Sequence, residues 1–150
     1  MIHTYRDLLS DRRVEADVCI VGTGCGGASL GARLAEAGAR VVFLERGGHY
    51  TRDDFDQREL DMLPKIDGGR GLDSSVDLSV SLTYGNNVGG ASVHYWADSY
   101  RTPPDRLARW RDEFGLEGHG LEELTPFFEE IERDLHVHPA EDAYFNRMNQ

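Results

Sequence analysis

The chain has 150 residues, 39% of them hydrophobic, and a formal net charge of −11. That length suits one domain, and the apolar fraction is high enough to build a core, which excludes wholesale disorder. The acidic balance excludes a nucleic-acid partner, which needs a basic face, and neither an apolar membrane span nor a signal-peptide core interrupts the charged N-terminus, so a cytoplasmic protein is expected.

Residues 1–15 read as a polar lead-in with a helical turn around residues 5–10. Residues 17–45, DVCIVGTGCGGASLGARLAEAGARVVFLE, carry the strongest signal. An apolar strand is predicted over 17–21, and Gly22-Thr23-Gly24-Cys25-Gly26-Gly27 matches G-x-G-x-x-G where a strand hands over to a helix. The predicted helix, 28–37, closes at Gly38, and a second strand, 40–44, ends at Glu45. Gly22 permits the tight turn, Gly24 lets backbone approach a pyrophosphate, and Gly27 lets helix and strand pack closely. The helix N-terminus presents free N–H groups to phosphate. Glu45, 18 residues past Gly27, can accept hydrogen bonds from adenosine ribose hydroxyls. The unit fits the ADP half of a dinucleotide and by itself does not separate FAD from NAD. Arg46, next to Glu45, could suggest a 2′-phosphate contact, but the acidic ribose partner disfavours NADP.

The two cysteines suggest no disulfide framework. Cys19 falls in the first strand, and Cys25 is read as a small residue beside the ligand. Six histidines lack metal-ligand spacing; His136 and His138 precede Pro139 and read as a surface turn, so no metal is expected. Residues 49–75 are charged and glycine-rich, with a short helix expected near 54–63. Residues 76–84 alternate apolar and polar, the period of a half-buried strand, and run into the cluster Gly85-Asn86-Asn87-Val88-Gly89-Gly90-Ala91-Ser92. Successive small residues there would leave backbone N–H groups exposed to a ligand. Beyond Pro103-Pro104 a helix is predicted over 105–114, stopping near Gly115. A last helix has Thr125 as N-cap and Pro126 in its first position, with Phe128, Ile131 and Leu135 on one core-facing side.

The second glycine cluster and VGGASVHYWADSYRTPP, taken with the GCGG turn and LERG, resemble the glucose–methanol–choline (GMC) oxidoreductases over about residues 16–139. The resemblance implies an α/β, Rossmann-like FAD/NAD(P)-binding domain, here incomplete: residues 16–150 would be its N-terminal part, with the substrate domain absent. It implies FAD as cofactor, with Gly22, Gly24, Cys25, Gly26, Gly27, Glu45 and Arg46 on the adenosine side. Val88, Gly89, Gly90, Ser92 and His94 would stand on the flavin side. It also implies oxidation of a CH–OH group in an alcohol, sugar or sterol, with hydride passing to flavin N5. Two departures matter. Tyr95 stands where many members have Asn. His94 falls where some members attach FAD covalently, although similar loops hold it without a bond, and a non-covalent His94 is expected. The family's catalytic histidine lies near the C-terminus of a longer chain, so no catalytic residue is assigned and residues 1–150 alone are expected to be inactive. A nicotinamide-dependent dehydrogenase and a non-catalytic nucleotide-binding module remain the alternatives. Which alcohol is oxidised and which acceptor takes the electrons are not legible here.

Overall fold

The computed structural model describes residues 1–95 and 97–142. Trp96 and residues 143–150, which the expected domain 16–150 includes, lie outside them. Packing divides the chain into two units, residues 1–96 and 97–150.

In the first unit, β1 (Val18–Val21) and β2 (Val41–Leu44) pair in parallel, with Val18 opposite Val41 and Val21 opposite Leu44. Their valine and isoleucine content suits a pleated surface. Parallel strands need a crossover, and α1 (Cys25–Glu36) supplies it. The helix begins at Cys25 rather than at 28, so the last glycines of the turn are already helical. It ends as expected: Gly38 has φ 91°. The Gly38 N–H donates to the Ala35 carbonyl at 2.9 Å and the Ala39 N–H to the Leu34 carbonyl at 3.0 Å, a Schellman closure. Gly27 and Gly31, one turn apart, set the helix–sheet distance. A Cβ on Gly27 would overlap the Gly22 carbonyl oxygen, and one on Gly31 would overlap the Phe43 ring. Ile20, 8% exposed, packs beneath both. This is the predicted Rossmann-like β–α–β unit.

The following excursion differs from expectation. Asp54 is spent on a 3₁₀ turn (Arg52–Asp54), where its carboxylate accepts from the Thr51 N–H at 2.6 Å. The helix, α2 (Glu59–Ile66), therefore starts later than 54 and runs through Pro64, burying Met62 and Ile66. Pro64 removes a single intrahelical bond, and the two buried side chains hold the helix past it.

The strand expected over 76–84 is reduced to β4 (Ser81–Leu82), paired antiparallel with β3 (Asp73–Ser74). Val76 and Leu78 project into solvent, and Leu78 has φ 60°, incompatible with a strand. Asp77 accounts for the break. Its carboxylate accepts from the Ser75 hydroxyl at 2.6 Å, the Ser79 hydroxyl at 2.9 Å and the Ser79 N–H at 3.2 Å, closing a turn. These bonds, that from the Ser75 hydroxyl foremost, lower the Asp77 pKa to about 2.

In the second unit, α3 (Pro104–Phe114) has Pro104 at its first position, stops at Gly115 with φ 66°, and buries Leu107. α4 (Leu121–Asp134) begins at Leu121, not at Pro126. Thr125 is inside the helix, and its hydroxyl donates back to the Leu121 carbonyl at 2.6 Å instead of capping. Ile131 and Leu135 are 52% and 60% exposed, so the predicted core face is a half-open groove shared with residues 98–101. His136 and His138 are exposed, and the described residues contain no cluster of metal-ligating side chains. Among them no helix is long and apolar enough to cross a membrane.

Candidate cofactor site

The site stands at the carboxyl ends of β1 and β2, where open α/β sheets receive ligands. The Gly22 N–H donates to the Leu44 carbonyl at 2.8 Å, tying the glycine turn to the end of β2. Gly22 has φ 91°, a conformation that favours glycine. A Cβ added to Gly22, Gly24 or Gly26 would meet nothing within 4 Å. This face of the turn is open, whereas Gly27 is filled by the helix–strand contact. Cys25 and Gly26, both exposed, begin α1, whose first N–H groups have no intrahelical partner.

Glu45 is half-buried and braces this turn. Its Oε2 accepts from the Thr23 N–H at 2.8 Å and the Thr23 hydroxyl at 2.7 Å, and its Oε1 accepts from the Gly47 N–H at 2.7 Å. Burial works against ionisation, but the donors on Gly47, Thr23 and Arg46 outweigh it, so the carboxyl titrates below its ordinary value. Arg46 turns aside, its Nε donating to Asn86 Oδ1 at 3.0 Å.

Asp67 positions the second glycine loop. It is 1% exposed, and its carboxylate accepts from the N–H groups of Gly69 and Gly71 at 2.9 Å each and of Tyr84 at 3.2 Å. The Gly71 donor leads in holding its pKa below the usual range. A bridge from Asp67 to Gly85 and another from Gly48 to Asn87 fix the start of the loop. The expectation of free N–H groups is corrected for three residues of the cluster. Val88 donates to the Gly48 carbonyl at 2.9 Å, Gly89 to the Thr23 hydroxyl at 3.1 Å, and Gly90 to the Asn87 carbonyl at 2.9 Å. The Ser92 hydroxyl also turns inward, onto the Gly89 carbonyl at 2.7 Å. Gly89 and Gly90 have φ 96° and 61°, and a Cβ on Gly90 would stand 2.9 Å from Gly24 Cα. The second loop thus closes directly on the first.

Between them lies a cavity of about 460 Å³. Of the predicted residues, Gly22, Gly24, Glu45, Arg46 and Gly90 line it. Cys25, Gly26, Gly27, Val88, Gly89, Ser92 and His94 are outside its lining. His94 is half-buried just beyond a 3₁₀ turn (Gly90–Val93), with Nε2 buried and without a hydrogen-bond partner. Val21, Leu44, Gly85, Asn87 and Ala91 complete the wall. Sequence reasoning gave none of these five an individual role, although Gly85, Asn87 and Ala91 fall in the cluster it expected to face a ligand. Asn87, 1% exposed and with its Nδ2 donating to the Ile66 carbonyl at 2.9 Å, had a signal in the polar Asn86-Asn87 pair before the glycines. Thr23, the hinge of the network, had none beyond being a hydroxyl inside a glycine turn.

The family model for GMC oxidoreductases matches residues 18–149. The chain belongs to the GMC oxidoreductase family. Among its relatives, this GMC chain is 32% identical to the long-chain-alcohol oxidase FAO4B of Arabidopsis thaliana over 79% of its own length and 16% of that protein's. It is 36% identical to an uncharacterized GMC-type oxidoreductase of Mycobacterium tuberculosis, over 84% of this chain and 20% of the relative. The crystal structure of pyridoxine 4-oxidase from Mesorbium loti aligns with a TM-score of 0.56 and 27% identity, covering 75% of this chain and 24% of that one. The chain therefore spans about a sixth of the first long-chain-alcohol oxidase and about a quarter of the solved structure.

Proposed function

We propose that this chain is the N-terminal, FAD-holding part of a flavin-dependent oxidoreductase that oxidises CH–OH groups of alcohols. The observation that carries the reading is the closure of two glycine loops on each other at the strand ends, with Gly90 against Gly24 and a cavity beside the contact. A plain nicotinamide fold needs only the first loop.

The residues fit such a cofactor. The open faces of Gly22, Gly24 and Gly26 leave room for a pyrophosphate at the N-terminus of α1, where unpaired N–H groups and the helix dipole favour an anion. Glu45, kept ionised by its donors, accepts from the adenosine ribose. Gly85, Asn87, Gly90 and Ala91 supply the wall on the flavin side, with His94 close by and not bonded to the flavin. When bound, FAD supplies an isoalloxazine that accepts hydride at N5. The residues described here would bind and orient it; no histidine among them is assigned as the base. Long-chain-alcohol oxidases among the relatives support an alcohol as the donor.

The test is dye-coupled oxidation of sugars, polyols, sterols and fatty alcohols, run on the full product of the reading frame and on residues 1–150 alone. Alcohol-dependent dye reduction by the first and none by the second is expected. Turnover by residues 1–150 alone would contradict a purely cofactor-holding role.

A further inference from the structure

The Thr23 hydroxyl lies between the two glycine loops. Thr23 Oγ1 is 2.7 Å from Glu45 Oε2 and 3.1 Å from the Gly89 nitrogen. An ionised carboxylate only accepts, so the one hydroxyl proton goes to Glu45, and the oxygen's lone pair is left for the Gly89 N–H. The direction of the chain Gly89 N–H to Thr23 O–H to Glu45 is therefore fixed by the charge at its end, and each bond polarises the next. The residues it joins are 66 apart in sequence. Beside it, the Gly24 and Gly90 backbones approach so closely that a Cβ on Gly90 would stand 2.9 Å from Gly24 Cα. One backbone contact and one hydroxyl relay hold the loops in register.

Glu45 is heavily used in this arrangement. A carboxylate offers about four lone-pair sites, and Thr23 takes two on Oε2 while Gly47 takes one on Oε1. The Arg46 N–H also bears on the carboxylate, and a ribose hydroxyl would join these donors on the Oε1 side, because Thr23 occupies Oε2.

We propose that Thr23 is a positioning residue that couples the adenosine end of the site to the flavin-side loop through its hydroxyl. This rests on the FAD-binding reading above. Removing the hydroxyl frees the Gly89 N–H and unloads Glu45, so both ends of the cofactor register the change. A valine is nearly isosteric, keeps the Thr23 N–H bond to Glu45, and removes only the relay.

The experiment compares Thr23→Val, Thr23→Ser and the unchanged protein, each as the full product of the reading frame stripped of flavin. FAD and ADP are titrated separately by calorimetry, the visible spectrum of bound flavin is recorded, and apoprotein folding is followed by circular dichroism. Thr23→Val is expected to weaken FAD about tenfold, equivalent to about 1.4 kcal/mol, and ADP by less than about threefold, because ADP lacks the flavin that the second loop would face. The bound-flavin bands shift in Thr23→Val, and Thr23→Ser restores both affinity and spectrum. Equal losses for ADP and FAD, an unchanged flavin spectrum, no rescue by serine, or an unfolded Thr23→Val apoprotein would each overturn the coupling role. If the unchanged protein binds no FAD, the cofactor reading itself falls, and the coupling with it. If it binds FAD and Thr23→Val matches it, the coupling alone falls.

Discussion

Gly24 and Gly27 belong to the same motif, and the structure gives them opposite jobs that one pair of substitutions separates. Gly24 has φ −65° and ψ 179°, a conformation any residue adopts, and an added Cβ meets nothing within 4 Å. Gly24→Ala restricts the unfolded chain, a gain of about 0.4–1 kcal/mol, against the poorer capping of a helix by alanine, so apoprotein stability should stay within about 0.5 kcal/mol. Its methyl nevertheless stands on the face left for the pyrophosphate, and FAD affinity should fall at least about tenfold, or about 1.4 kcal/mol. Gly27→Ala reverses the pattern. Helix propensity favours alanine by about 0.8–1.0 kcal/mol, but the new Cβ overlaps the Gly22 carbonyl and stands 3.2 Å from Ile20 Cγ2. Overpacking of this kind costs about 1–3 kcal/mol, and the colliding atom is backbone, which cannot rotate away. Because that atom is fixed, the cost falls in the upper part of this range, about 2–3 kcal/mol, and we expect a net loss of about 1–2 kcal/mol after the propensity gain. Urea unfolding of the apoproteins reads this as a lower midpoint at unchanged slope, and flavin fluorescence reads FAD affinity in parallel. Unaltered FAD binding in Gly24→Ala, or an unaltered urea midpoint in Gly27→Ala, would refute this division of labour.

Three further outcomes follow from the same geometry. Glu45→Ala should weaken FAD by about 1–3 kcal/mol, the range for hydrogen bonds with a charged partner, measured as flavin retained after gel filtration. Because the folded Glu45 carboxyl titrates below its ordinary 4.5, its contribution is complete above that pH and is lost as pH falls through the lowered value. The stability difference between the native protein and Glu45→Gln should therefore be constant above pH 4.5 and shrink below it in urea titrations. Acid precipitation should release the flavin into the supernatant, whereas a yellow pellet that turns colourless in His94→Ala would show a covalent bond.

The first β–α–β unit was legible because each of its residues does its work locally. The β-branched strands, the glycine turn and Gly38 at the helix end are specified within a few positions of where they act. The closure of the second loop was not legible, because Thr23 and Gly89 meet across 66 residues and neither carries a local mark of it. The same holds for Glu45. Its place at the end of β2 marked it as an acceptor, but three donors from its own chain already occupy it. Periodicity misled over 76–84, where alternation matched a strand while Asp77 gathered Ser75 and Ser79 into a turn. Proline misled at Pro126, which resembled a helix start, yet α4 runs through it, and the helix expected near 54–63 likewise runs on through Pro64. Propensity rules weigh the one bond a proline removes; in α2 they do not see the buried Met62 and Ile66 that compensate it.

The central claim is that the cavity between the two glycine loops holds FAD. The most direct measurement is a titration of the flavin-free protein, as the full product of the reading frame, with FAD, NAD and NADP, followed by absorbance and by calorimetry. Saturable binding of FAD with a shifted flavin spectrum, weakened at least about tenfold in Gly24→Ala and absent for both nicotinamide cofactors, is the expected result. Binding of NAD or NADP in place of FAD, or of none of the three, would contradict it.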